Sequence, residues 1–338
     1  MQGTVKSLAT RLGFDECRIA RAMAASHGPG FRQWLADGCH GDMAWLARNP
    51  ERRCDPREVL PGCHSVICLA LNYYPGSSPG GGDAAAAGYR IARYAWNDDY
   101  HDLMVNRLAE FDAALRACGG VQRCYVDTGP VLERDFASAA GLGWNGKSTM
   151  QIHRRLGTWL LLAEILTTLE VPPDAPLGDH CGTCTRCVSA CPTRAITAPH
   201  HLDARRCLAY LTIEHQGPIP EEFRAAMGDR IYGCDECLEV CPWNRFAQES
   251  RELAFHARPA IFANRLRDFL ALDDAGFRRL FARSPIQRIK RARFLRNVCV
   301  ALGNTGTSDD LPALRRAAGE PDPLIAEHAA WAVARLEP

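Results

Sequence analysis

Apolar residues in the first half of the chain follow two rhythms. Residues 65–71 (Ser-Val-Ile-Cys-Leu-Ala-Leu) form a short apolar block after a Pro61-Gly62 turn, the pattern of a buried strand. Residues 158–169 have the same bulk, broken only by Glu164, and residues 121–126 predict a third strand. Between these, residues 99–118 carry Leu103, Leu108, Phe111 and Leu115 near helical spacing. A second helix is predicted over 131–140, stopped by Gly141. Residues 75–88, rich in Gly, Ser and Pro, predict a loop, and the prolines of 171–176 mark a boundary. Beyond residue 245 the rhythm becomes helical throughout. Segments 291–302, 311–318 and 325–336 are joined by Gly, Asp and Pro turns. The first and last resemble one another about one HEAT repeat apart, roughly 30–40 residues. The pattern predicts an α+β multidomain chain: an α/β unit over 1–170, a distinct module over 171–245, and a HEAT-like helical unit over 246–338.

Composition narrows this picture. The 338 residues are 47% hydrophobic and 23% charged, a globular balance. A net charge of +1 gives no global basic field, so any nucleic-acid surface must be local. No apolar run reaches the roughly 18 residues of a membrane span, because Glu164 interrupts the best candidate. The first twenty residues carry Lys6, Arg11, Asp15, Glu16 and Arg18 and no apolar block, so a cytoplasmic protein without a secretory signal is expected.

The sixteen cysteines change the picture most. Eight lie between Cys181 and Cys241; Cys17, Cys39, Cys54, Cys63, Cys68, Cys118, Cys124 and Cys299 are scattered and read as small buried hydrophobes. Cys181, Cys184, Cys187 and Cys191-Pro192 follow C-x-x-C-x-x-C-x-x-x-C-P, the run of bacterial two-cluster ferredoxins. Cys234, Cys237 and Cys241-Pro242 repeat it without the first cysteine, and Cys207 can complete the set. In that motif the fourth ligand of each [4Fe–4S] cube comes from the other run. One cluster therefore takes Cys181, Cys184, Cys187 and Cys241, and the other takes Cys191, Cys207, Cys234 and Cys237. C-x-x-C pairs also bind zinc. The repeated steps and the proline after each closing cysteine weigh against that reading.

No dinucleotide fingerprint or Walker loop accompanies the module. Asp99-Tyr100-His101 resembles the start of a histidine-on cobalamin motif without its glycine, and His101 at a helix start bonded to backbone is the plainer expectation. The longer motifs go further. Asp127-Thr128-Gly129-Pro130-Val131-Leu132-Glu133-Arg134, then Ala140-Gly141-Leu142-Gly143-Trp144-Asn145-Gly146-Lys147-Ser148, then both cysteine runs, resemble the epoxyqueuosine reductase family. Ile91-Ala92-Arg93-Tyr94-Ala95, the segment from Cys207 to Glu214 and the segment from Leu295 to Asn304 extend the likeness over nearly the whole chain.

The resemblance implies an oxidoreductase using cobalamin and two [4Fe–4S] clusters on a modified tRNA base. In the family the epoxide of epoxyqueuosine, at the anticodon wobble position, is reduced to the cyclopentene of queuosine, the last step of its biosynthesis. Cob(I)alamin, fed with single electrons by the clusters, is the implied reductant. The first 170 residues are then the cobalamin-binding catalytic unit, with Asp127 matching the family's proton donor. Without the resemblance, an Asp at this turn is more often a helix cap. Arg53, Lys147, Ser148, Tyr210 and Thr212, with Asp127, are the candidate corrin contacts, and Arg52 is as available as Arg53. A low-potential donor of flavodoxin or ferredoxin type and a monomeric state are expected.

Ten basic residues against three acidic ones between Arg265 and Arg296 give a local charge of +7. Arg288, Lys290, Arg291, Arg293 and Arg296 are the densest part and the candidate tRNA contacts, since phosphate neutralisation drives such binding. A solvated helix face is the common alternative for a charge run. Two other functions fit parts of the chain: a reductive dehalogenase-like cobalamin enzyme, and a non-catalytic Fe–S electron carrier. The first is expected to carry a twin-arginine signal, and the second leaves the Asp127 segment without a purpose.

Overall fold

The computed structural model describes residues 1–76 and 87–337. Most of the loop expected over 75–88 thus lies outside the described residues. Four strands form one antiparallel sheet: β1 (Glu16–Arg21), β2 (Ser65–Asn72), β3 (Gln122–Tyr125) and β4 (Leu160–Thr167), in the order β1-β2-β4-β3. Ser65 pairs with Thr167 and Asn72 with Leu160, which makes β2 and β4 the central pair. Every residue of β2 is buried, because both faces of the sheet are covered. Ile67, Leu69, Ala163 and Ile165 face helices α1 (Gln2–Arg11) and α2 (Tyr100–Ala117) through Val5, Ala9, Met104, Leu108 and Phe111. Val66, Cys68, Ala70 and Leu166 face α3 (Glu133–Ala139) through Phe136 and Ala137. The period-2 alternation of a strand sends neighbouring residues to opposite cores, so a sheet buried on both sides reads as an unbroken apolar run. The predicted strands and both predicted helices are present here; β1, the polar-rich edge strand, carried too weak a pattern to predict.

The cysteine-rich segment contains two short helices packed on each other, Arg186–Ala190 and Glu236–Glu239, and a small hairpin, Ile196–Ala198 with His201–Leu202. The C-terminal helices are α4 (Lys290–Thr305), α5 (Leu311–Ala318) and α6 (Pro323–Leu336). α4 is buried almost throughout its second half and packs on α6. The contact is close at Gly303, where a Cβ would come within 2.5 Å of the Trp331 ring and 3.0 Å of Ala332 Cα. The helical core is not confined to residues 246–338. It takes in Tyr89, Ile91, Ala95 and Trp96 from the first unit and Ile231 and Tyr232 from the module. The strand Arg90–Ile91 pairs in parallel with Arg230–Tyr232, which brings those segments there.

Candidate functional site

A cavity of about 1230 Å³ opens between the sheet unit, the cysteine module and the C-terminal helices. Ordinary ligand pockets hold roughly 300–1,000 Å³, so this one suits a large macrocycle with a base beside it. Asp127 lines it, just beyond β3, with φ of 47°. The left-handed region is uncommon outside glycine, though aspartate tolerates it better than most, and such conformations collect at functional sites.

Both Asp127 oxygens are held. Tyr100 Oη donates to Oδ2, and His101 Nε2 lies 2.7 Å from Oδ1. His101 Nδ1 lies 2.8 Å from Asp99 Oδ1, and Arg288 donates to Asp99 Oδ2 at 2.6 and 3.0 Å. Asp99 also caps α2, accepting from the His101 backbone N–H, which fixes the whole chain of contacts to a helix start. Burial alone pulls the His101 pKa down, but the hydrogen bonds and charges of Asp127 and Asp99 outweigh it and raise it to about 9. An imidazolium therefore faces Asp127 at neutral pH. The expectation that His101 bonds to backbone is corrected: it bridges two carboxylates, because the turn after β3 folds Asp127 onto the start of α2.

Arg53 lies on the same wall. Its Nη1 donates to Gly129 O at 3.1 Å, and its buried Nε has no partner among the described residues. Glu133, whose buried carboxyl meets that of Glu164, also lines the cavity. Unpaired buried polar atoms are costly, and a ligand edged with amides can satisfy them, so this wall fits a corrin.

Lys147 and Ser148 do not line the cavity; the flanking Asn145 and Thr149 do. Lys147 Nζ donates to Gly182 O at 2.6 Å and Cys184 O at 3.1 Å, which anchors the first cysteine loop. Ser148 is buried with its Oγ 3.4 Å from the Met150 N–H. Tyr210 and Thr212 are also away from the cavity wall. Tyr210 Oη accepts from the Asp42 N–H at 2.8 Å, and fully buried Thr212 donates to Leu208 O at 2.7 Å.

The cysteines gather as two quartets. Cys241 is an electrostatic neighbour of Cys181, Cys184 and Cys187, and Cys237 of Cys191, Cys207 and Cys234. Burial pushes the Cys241 thiol up to about 11 and the Cys234 thiol to about 12, so thiolates there need a cationic partner such as cluster iron.

The expected basic patch is taken apart by the fold. Arg296 is fully buried, so it cannot meet a phosphate. Its guanidinium donates to Leu211 O, His215 O and Gly217 O at 2.6–2.8 Å, and burial lowers its pKa to about 9. Arg291 pairs with Glu320 at 2.9 Å, and Arg288 with Asp99. Arg293 donates to Ile213 O at 2.7 Å and lines the cavity, as does Arg288. Lys290 is exposed.

Sequence reasoning missed the Glu133–Glu164 pair. Glu164 is fully buried on β4, on the face that carries Leu166, and its carboxyl meets that of Glu133. Burial raises both carboxyls, Glu164 well above the usual range, with the neighbouring charges of Glu133 and Asp127 adding to it. The signal was present: one carboxylate in an otherwise apolar strand. A carboxyl raised in the folded state binds its proton where the unfolded chain has lost it, so stability falls as pH climbs above the unfolded value near 4.5. Glu164→Gln is thus expected to raise the melting temperature at pH 8 and leave it unchanged at pH 4.5. Melts at both pH values check this, and a lower melting temperature for the variant at pH 8 would sink the reading.

Residues 180–244 match the family described as 4Fe-4S double cluster binding domain, and residues 53–128 match Epoxyqueuosine reductase QueG, DUF1730. The chain is 44% identical over 336 residues to an epoxyqueuosine reductase of Xanthomonas campestris, covering 98% of this chain and 95% of that protein. It is 40% identical to an epoxyqueuosine reductase of Escherichia coli, covering 98% and 88%. Among solved structures, an epoxyqueuosine reductase with an epoxyqueuosine-modified tRNA-Tyr stem loop superposes with a TM-score of 0.89 at 29% identity, covering 98% of this chain and 89% of that one.

Proposed function

The chain belongs to the epoxyqueuosine reductase family, and on that footing we propose how its residues perform the reaction. It is an oxidoreductase of queuosine biosynthesis that reduces epoxyqueuosine in tRNA to queuosine, with [4Fe–4S] clusters as electron carriers. Two electrons and two protons enter, and one oxygen leaves as water. The single observation that carries the assignment of roles is Asp127 at the cavity wall, with both oxygens held by Tyr100 and His101.

Cobalamin is the group we place in the cavity, with Arg53, Asn145, Thr149 and His200 as residues that hold it. When bound, it supplies low-valent cobalt, a strong nucleophile and reductant toward a strained epoxide. The chain's own contribution is protons and position. The proton that the opening oxyanion needs sits on the His101 imidazolium, and Asp127 takes it up and passes it on. Arg288 and Asp99 hold the imidazole ring so that Nε2 faces Asp127. Tyr100 keeps the second carboxylate oxygen oriented. The paired quartets, Cys181, Cys184, Cys187, Cys241 and Cys191, Cys207, Cys234, Cys237, hold the two clusters that relay single electrons from a low-potential donor of flavodoxin or ferredoxin type. We read the C-terminal helices as HEAT-like, and the protein as a monomer of the cytoplasm.

Reaching the cavity requires the modified base to leave its stack in the anticodon loop, as enzymes acting on a base commonly require. Arg288 and Arg293, which line the cavity, and the exposed Lys290 are the residues we place against tRNA. Lys290→Ala is expected to weaken tRNA binding uniformly and to reduce the slope of log affinity against log salt by about 1. A titration series from low to high salt reads this, and an unchanged slope removes Lys290 from the interface.

The assay for the whole reading is anaerobic turnover of epoxyqueuosine-bearing tRNA with cobalamin and a strong reductant. Digested nucleosides are expected to show cobalamin-dependent loss of one oxygen by mass spectrometry. Unchanged nucleosides, with clusters and corrin shown to be loaded, would overturn it.

A further inference from the structure

A second opening lies on the cysteine module, separate from the substrate cavity: the two share no lining residue. It is an open cleft whose floor includes Cys241, and whose walls carry Arg186, Ser189, Glu239 and Arg245. Resting on the reading of the cysteine quartets as cluster ligands, we propose that this cleft is the docking surface of an acidic one-electron carrier protein. Its electrons then enter through the Cys181–Cys184–Cys187–Cys241 cluster.

Three observations carry the choice of occupant. The first is charge. Arg186 and Arg245 are exposed and in no ion pair among the described residues, whereas Glu239 is neutralised by Arg93 at 2.5 Å. The cleft therefore presents net positive charge toward solvent, which is what an acidic partner meets. The second is the rim. Trp243, with Phe246 at 5.6 Å between ring centroids, flanks Cys241-Pro242, and Phe246 is 42% exposed with Arg245 stacked over it. Exposed aromatic residues beside arginine are the composition of protein interfaces. The third is the position of the two quartets. One contributes Cys241 to the cleft, while Tyr232, two residues before Cys234 of the other, lines the substrate cavity. Electrons arriving at the cleft thus have the second quartet between them and the cavity. A nucleic acid would also be drawn to the arginines, but it has no use for a cluster ligand in the floor.

The step is one-electron transfer: the reduced carrier loses one electron, the cluster gains it, and no bond is made or broken. The experiment follows bleaching of the cluster absorbance when the holoenzyme is mixed anaerobically with reduced flavodoxin, which needs neither substrate nor turnover. For the Arg186→Glu, Arg245→Glu double variant, the flavodoxin concentration giving half-maximal bleaching rate is expected to rise at least tenfold. The salt dependence of that rate is expected to flatten, since rim charges act on encounter and are screened by salt. Dithionite, which needs no docking, is expected to bleach the variant at the wild-type rate with unchanged iron content. Should the double variant fail to load clusters, Ser189→Glu adds the opposing charge to the same wall without touching a residue beside a ligand. Its half-maximal concentration is expected to rise as well. Wild-type flavodoxin kinetics in a fully loaded variant would overturn the proposal, and so would a loss confined to tRNA affinity. A loaded enzyme that bleaches as expected but leaves epoxyqueuosine intact would instead overturn the functional reading and leave the docking surface standing.

Discussion

Replacing Asp127 with Asn is expected to lower turnover of epoxyqueuosine by about 10²–10⁴, the usual weight of a positioned acid. Asn keeps the shape and can still meet Tyr100 and His101, so the cavity wall is preserved while the carboxylate that passes the proton from His101 is lost. Iron content, corrin binding and tRNA affinity are therefore expected to stay at wild-type levels. Single-turnover reactions analysed after nucleoside digestion separate the two effects. A variant that still removes oxygen at the wild-type rate would take the proton-donor role away from Asp127. The wild-type rate carries a matching pH signature. Despite its burial, His101 is held protonated to about pH 9 by Asp127 and Asp99, so supply of the proton behind Asp127 fails as pH rises past that value. The rate is expected to fall there and not below neutrality.

The second large effect concerns stability and comes from a residue that the sequence placed on the surface. Arg296→Met is expected to cost about 1–3 kcal/mol for each buried carbonyl left without its donor. The methionine fills part of the volume, but the carbonyls of Leu211, His215 and Gly217 lose the donors that now reach them. Leu211 belongs to the short helix Leu208–Ile213, which begins right after Cys207, a proposed cluster ligand. Loosening this contact detaches the module from α4, so cluster loss is expected to accompany the lower melting temperature. Anaerobic melts of the loaded protein, read at the cluster absorbance, measure both together. Wild-type stability would show that Arg296 is dispensable to the fold. A phosphate contact predicts the reverse: intact stability and weaker tRNA binding.

These two arginine and aspartate cases mark where reading along the chain stops working. The double-cluster module was legible because spacing inside a motif is local: C-x-x-C steps put thiols on one tight loop whatever surrounds them. The central strands and α2 were legible for a similar reason. An apolar block bounded by turns, or leucines at helical spacing behind the capping Asp99, has one economical way to bury itself. Asp127 was legible through its motif, and the structure adds the left-handed φ and the two partners that hold its oxygens. Partner choice is a different kind of fact. Arg288, Arg291, Arg293 and Arg296 look alike in a charge count, yet one pairs with Asp99, one with Glu320, one faces the cavity and one is sealed in the core. Each partner lies far away in sequence, so only the packed fold could distinguish them. The same holds for Lys147, which sits two residues from the cavity wall and turns its amine to the cysteine loop instead. Glu164 is the instructive middle case. Its oddness was visible as a lone carboxylate in an apolar strand, but that both faces of the sheet are covered, leaving it no water, is a property of the assembled layers alone.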